Sequence, residues 1–186
     1  RTSYNLSHVA VQYQFTELSA VQPGIYYGYY FLELADYFGQ EGTDEKAMMN
    51  LLYVSIRALL NPEIDDRLVR CIYELRAMAE QGMCPQLTGC ISCGAQGDGG
   101  AVWFSQDAHG ILCDPCRRQG GDARKISAGT LYAMRFIVST PMGKLFTFRV
   151  KEEILQELEQ VVHTYVNRNT DRRFRTLEIL KVMTGI

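Results

Sequence analysis

Cys90-Ile91-Ser92-Cys93-Gly94 and, with nineteen residues between Cys93 and Cys113, Cys113-Asp114-Pro115-Cys116 form two Cys-x2-Cys pairs. Each pair is spaced to make a tight turn that presents two thiolates about 3.5–4 Å apart. Two such turns complete a tetrahedral zinc site with bonds of about 2.3 Å. Gly94 suits a turn whose amides face sulfur. The spacing therefore points to one Zn2+ per chain, held by Cys90, Cys93, Cys113 and Cys116. Four thiolates leave no coordination position for water, so the ion is expected to be structural.

Other chemistries fit the pattern less well. A thioredoxin-like pair needs one Cys-x-x-Cys at a strand-to-helix junction. A zinc deaminase needs a His/Cys-x-Glu element, which is lacking around Cys90 and His109. Disulfides need an oxidising compartment, of which the sequence gives no sign. An iron–sulfur cluster stays open as an alternative. Cys71 reads as a small core residue, and Cys84 as a spare thiol or an alternative fourth ligand.

Around the cysteines, glycine concentrates between Gly82 and Gly121 and no helical period survives. Val102 to Ser105 and Gly110 to Leu112 read as short strands about a turn at Asp107-Ala108-His109-Gly110, the hairpin of a zinc ribbon. Such a segment buries little apolar surface by itself, and metal binding is expected to supply the missing stability.

On both sides the period becomes helical. Ile25 to Gly39 carries Tyr26, Tyr27, Tyr29, Tyr30, Phe31, Leu34 and Phe38; its tyrosines read as half-buried core with hydroxyls at the rim rather than as a base-stacking platform. Thr43 is the expected cap of a second helix built on Met48, Leu51, Leu52, Ile56 and Leu59. Asn61-Pro62 is expected to stop it and to start a third, which ends near Gly82. Helices are also expected from a cap at Ser127 to a stop before Pro141, from Lys151 to about Asn167, and from a cap at Thr176. Tyr4 to Phe15 suits a terminal strand or an extended linker.

The fold class expected is thus mainly α, a helical bundle domain with an inserted small four-cysteine, zinc-ribbon-like segment. Residues 1–22 would be a linker, 23–83 and 119–186 the helical domain, and 84–118 the zinc-binding insert.

The 186 residues are 47% apolar and 22% charged, which excludes global disorder. No uncharged apolar run of about 18 residues exists, so a membrane span is not expected. Six cysteines, four of them in two pairs, do not make a secreted disulfide scaffold. The formal charge of −2 hides an asymmetry. Residues 1–83 hold eleven acids and six bases, residues 84–186 ten acids and thirteen bases. Nucleic-acid contact therefore has to come from local clusters. Arg117, Arg118, Arg124 and Lys125 follow the last cysteine, and Arg168, Arg172, Arg173 and Arg175 lie near the end; these eight are the candidate DNA-binding residues.

No catalytic pattern stands out. His8, His109 and His163 lie apart from any second ligand or nucleophile, with His163 expected on the solvent-prone side of its helix. Phosphate-loop, nucleophile-elbow and His-Glu-x-x-His motifs are missing. Glu152, Glu153, Glu157 and Glu159 read as a solvated helix face. The chain is not expected to be an enzyme.

Cys90 to Gly94, Phe104-Ser105 and Gly110 to Cys116 together resemble the zinc segment of RecO, a family of bacterial recombination mediators. Tyr29-Tyr30-Phe31-Leu32-Glu33-Leu34 resembles the family's opening helix, and Glu74-Leu75-Arg76 with Gly82 precedes the cysteines as it does there. Asp171 to Leu177 resembles its basic C-terminal segment. His109 stands where the family commonly has glycine, and Thr176 where it commonly has serine.

The resemblance covers roughly residues 18 to 182 and leaves out the family's N-terminal OB-fold, which binds single-stranded DNA. A chain starting at Arg1 would begin near the end of that barrel. The resemblance implies a cytoplasmic, nucleoid-associated DNA-repair protein that anneals complementary strands. It would help load the recombinase onto DNA coated with single-stranded-DNA-binding protein, acting with RecR as partner on single- and double-stranded DNA and not at a membrane. This chain would be the partner-docking and auxiliary DNA-binding portion. The alternative is a zinc-ribbon protein–protein interaction module without nucleic-acid binding.

Overall fold

The third helix explains the architecture. In the computed structural model, which describes residues 7–11, 13–96 and 102–185, α3 (Asp66–Glu80) is buried nearly all round. A helix buried on nearly every side, here with the charged pair Arg70–Glu74 inside, has to be enclosed by others. Here α1 (Gly24–Phe38), α2 (Lys46–Leu59), α4 (Ala128–Ser139) and α5 (Glu152–Asn169) pack about it, and α6 (Arg175–Thr184) lies against α1. α1 buries Tyr27, Tyr30, Phe31, Leu34 and Phe38 along one face, with the Phe31 and Tyr73 rings stacked 4.2 Å apart. Among the described residues the molecule is mainly helical with one small sheet, the fold class expected.

Helix starts differ from the expected caps. α2 begins at Lys46, and the Thr43 hydroxyl has its single proton within reach of two acceptors, Gln40 O at 2.7 Å or Glu45 Oε1 at 2.6 Å, instead of capping the helix. Asn61 accepts from the Glu63 amide within the connection, and α3 starts only at Asp66, capped by Asp65, whose side chain accepts from Arg67 N. Ser127 caps α4, accepting from Thr130 N at 3.1 Å. α6 starts at Arg175, and Thr176 is not its cap. Tyr4–Leu6 and Gln12 of the expected terminal strand lie outside the described residues. Its described remainder through Phe15 forms no strand, and a 3-10 turn follows at Thr16–Ala20.

The sheet has the order β2-β1-β3 and is antiparallel throughout, with β1 at Val102–Ser105, β2 at Gly110–Leu112 and β3 at Arg124–Ile126. β3 is an addition to the expected hairpin. One sheet face turns Val102, Phe104, Ile111 and Ile126 into the core shared with the helices, where the Phe104 ring meets Tyr165 edge-on at 6.0 Å. Gln106 Nε2 also donates to Val161 O of α5 at 3.0 Å. The insert therefore borrows hydrophobic stability from the bundle, and the expectation that it buries little is corrected on this face.

Candidate metal centre

The opposite sheet face carries the cysteines. Strand alternation puts Trp103 and Leu112 on this side, and Leu112 packs with Cys90 and Cys116 in a second, small apolar cluster. The first cysteine turn closes through Gly94 N donating to Cys90 O at 2.8 Å, with Gly94 at φ +74°. That left-handed conformation suits glycine. Ile91 N donates to Ile111 O at 2.9 Å, and Gln86 exchanges bonds with His109 O and Ile111 N, so the turn is laid along the edge of β2. A Cβ on Gly110 would meet Gln86 O at 2.7 Å, so this close approach requires glycine. The second turn follows β2 directly and closes by Cys116 N donating to Cys113 O at 3.0 Å.

These elements bring the sulfurs of Cys90, Cys93, Cys113 and Cys116 within 4.8 Å of one another. Cys93 and Cys113 Sγ are 3.6 Å apart. Thiolates bonded tetrahedrally at about 2.3 Å would be about 3.8 Å apart. The donor set and spacing thus fit a metal ion. Burial opposes charge on Cys90, but the amides of Cys113, Cys93 and Ser92 outweigh it and hold that thiol down at about 6. Cys113 is pushed up to about 12: the Cys116 amide favours its thiolate, but burial and the neighbouring Cys116, Cys93 and Cys90 thiols oppose it more strongly. Crowding by neighbouring thiols thus raises Cys113 while backbone amides lower Cys90, and a divalent cation would favour the thiolate form of all four.

Polar contacts tie the turns to the sheet. Asp114 Oδ1 accepts from Trp103 Nε1 at 3.1 Å and from Arg117 Nη1 at 2.8 Å, while the Arg117 guanidinium lies 5.0 Å from the centre of the Trp103 ring. Ser92 Oγ donates to Gln119 Oε1 at 2.6 Å, joining the two turns. Sequence periodicity carries no signal for these contacts, which depend on strand register. Cys84 lies exposed outside the cluster, and Cys71 is buried in α3.

The eight basic candidates are not equivalent. Arg117 is held by Asp114, Arg168 by Asp107 and Asp122, and Arg172 lies 3.7 Å from Glu33 and 3.6 Å from Asp36. Arg118, Arg124, Lys125, Arg173 and Arg175 are exposed, with no ion pair among the described residues. Arg124 and Lys125 stand on β3, not on a flexible connection.

Three residues read as solvated prove to be structural. His163 Nε2 sits 3.3 Å from the buried Glu74 carboxylate, and burial lowers the His163 pKa. Glu157 accepts from Ser127 N and from the Ser127 and Thr130 hydroxyls at the start of α4. Glu159 receives Arg67 in a forked contact.

A separate apolar groove of about 620 Å3 lies between α1, α2 and the 3-10 turn, floored by Leu18, Ile25, Leu52 and Ile56. Exposed Tyr29, Leu32, Met49 and Tyr53 rim it. No helix among the described residues is long and apolar enough to cross a membrane.

A family model described as "Recombination protein O C terminal" matches residues 24–178. The chain is 26% identical over 185 residues to the DNA repair protein RecO of Symbiobacterium thermophilum, across 98% of this chain and 73% of that protein. It is 26% identical over 182 residues to DNA repair protein RecO of Alkaliphilus metalliredigens, across 97% and 74%. Over 115 residues it is 31% identical to DNA repair protein RecO of Acetivibrio thermocellus, across 62% of this chain and 45% of that protein.

Proposed function

The chain belongs to the recombination protein O family, whose C-terminal region it matches over residues 24–178, and on that premise we propose that it is the partner-docking and auxiliary DNA-binding portion of a non-enzymatic DNA-repair and recombination mediator. The carrying observation is the family match across the bundle and the four-cysteine centre together. On this reading the whole protein anneals complementary strands, and with RecR it loads recombinase onto DNA coated by single-stranded-DNA-binding protein.

Cys90, Cys93, Cys113 and Cys116 would hold Zn2+. Bound there, the ion cross-links the two turns and stabilises the insert without offering a reactive position. Arg118, Arg124 and Lys125, unpaired among the described residues and close to the centre in sequence, are the basic residues best suited to reach phosphate. The exposed apolar groove between α1 and α2 supports a docking role on another side of the molecule.

A second reading, a zinc-ribbon interaction module without nucleic-acid binding, is favoured by the internal pairing of Arg117, Arg168 and Arg172. Anisotropy of labelled single-stranded DNA with the full-length protein, titrated with salt, separates the two. Replacing Arg124 and Lys125 together by Ala is expected to flatten the log–log salt slope by about 1.4, at about 0.7 per lost phosphate contact. Undetectable binding at low salt would overturn the DNA-binding reading in favour of the second.

A further inference from the structure

The four cysteines are unequal in exposure. Cys90 and Cys116 are 4% and 9% exposed, covered by Leu112 and its neighbours. Cys93 is exposed and Cys113 partly so. Each turn thus keeps one sulfur inside and shows one outside. The two outer sulfurs belong to different turns and already lie 3.6 Å apart.

We infer that Cys93 and Cys113 form an oxidation site, at which hydrogen peroxide converts the outer pair to a disulfide and releases the metal. This rests on the zinc reading above. The Cys93 thiolate attacks peroxide, the O–O bond breaks, and Cys93 becomes a sulfenic acid with loss of hydroxide. The Cys113 thiolate then attacks the Cys93 sulfur, the S–S bond forms and a second hydroxide leaves. Two thiolates supply two electrons, peroxide accepts them, and the hydroxides take up two protons as water. Only Cys90 and Cys116 then remain as ligands, too few to retain the ion against a competitor.

The geometry favours this pair over the pairs within each turn. Cys90–Cys93 and Cys113–Cys116 bridges would each draw a sulfur out of the apolar cluster around Leu112, whereas Cys93 and Cys113 already lie side by side outside it. Bonding Cys93 to Cys113 at about 2.0 Å asks the sulfurs to close by roughly 1.5 Å. The turns can yield that much, since Ser92–Gln119 is an exposed link. Movement of Cys113 would also disturb Asp114, which holds both the Trp103 indole and Arg117. Oxidation of the centre would then be felt on the basic side of the insert.

The test treats the reduced, zinc-loaded full chain with hydrogen peroxide in the presence of a chromophoric zinc chelator, followed by peptide mapping. About one zinc per chain should be released, with a Cys93–Cys113 cross-link that thiol reductant reverses. Cys84→Ser should release zinc at a rate within twofold of the parent. Zinc retained after oxidation, or released with a Cys90–Cys93 or Cys113–Cys116 bridge instead, would overturn the inference while leaving the zinc reading intact. Reduced protein that takes up no zinc would fail the zinc reading and the inference with it.

Discussion

Glu33 of α1 caps α6 from 143 positions away: its Oε2 accepts from the Thr176 amide at 2.9 Å and from the Thr176 hydroxyl. Its Oε1 accepts from the Arg175 amide at 3.2 Å. The first amides of any helix lack partners within it, and here a carboxylate from another helix supplies what a local Ser or Asp otherwise would. Burial works against charge on Glu33, but the Thr176 and Arg175 bonds and nearby Arg172 outweigh it and hold the carboxyl below its ordinary range. The opening helix and the basic C-terminal segment are thereby one unit.

Glu33→Ala should cost about 1 kcal/mol in urea unfolding at pH 7, the usual size of a lost cap. Hydrogen exchange should quicken at Arg175 and Thr176 before it does in α3. A carboxyl with a depressed folded pKa contributes stability above its unfolded pKa and loses it as pH falls through the folded one. The gap between parent and variant should therefore narrow as pH falls below about 4.

The buried pair Arg70–Glu74 makes a larger claim. Glu74 Oε1 accepts from Arg70 Nε at 2.8 Å and from Tyr30 OH at 2.7 Å, and both charged side chains are almost wholly enclosed. Glu74→Leu leaves the Arg70 charge without its partner and should cost about 3–5 kcal/mol. Adding Arg70→Met should recover most of that loss, because the pair removed together leaves no orphan charge. Denaturant melts of both singles and the double would show it; a double no better than Glu74→Leu would contradict the pairing.

Asp66, half-buried in the first turn of α3, has its carboxyl raised to about 6 by burial and by the adjacent Asp65 charge. An acid with a raised folded pKa favours the folded state when protonated, so its contribution is lost as pH rises from about 4 through 6. Asp66→Asn removes that dependence. Relative to the parent, the variant should gain about 1 kcal/mol between pH 4.5 and 7.5, a figure discounted for solvent screening. Thermal melts at the two pH values measure it, and an unchanged difference would place Asp66 in a wetter setting.

The cysteine spacing, the β1–β2 hairpin, the Ser127 cap and the helical runs were legible because each is a local signal: a fixed interval, a period or a single capping residue. What escaped reading depends on partners distant in sequence. β3 is three residues long, begins Arg124-Lys125 and shows no alternation, so only pairing with Val102–Phe104 makes it a strand. Glu157 looks like a solvated acid until α5 is laid beside the start of α4. His163 turns inward only because Glu74 is there to face it. The basic candidates could be counted from the sequence, but which of them had acidic neighbours could not.

Metal analysis of the reduced full chain, purified without chelator, tests most directly whether the insert is built on a four-thiolate centre. About one equivalent of zinc per chain is expected, with Cys93→Ser loosening residues 84–118 while the bundle stays largely helical by circular dichroism. Less than a tenth of an equivalent, with the insert equally protected from proteolysis, would contradict it.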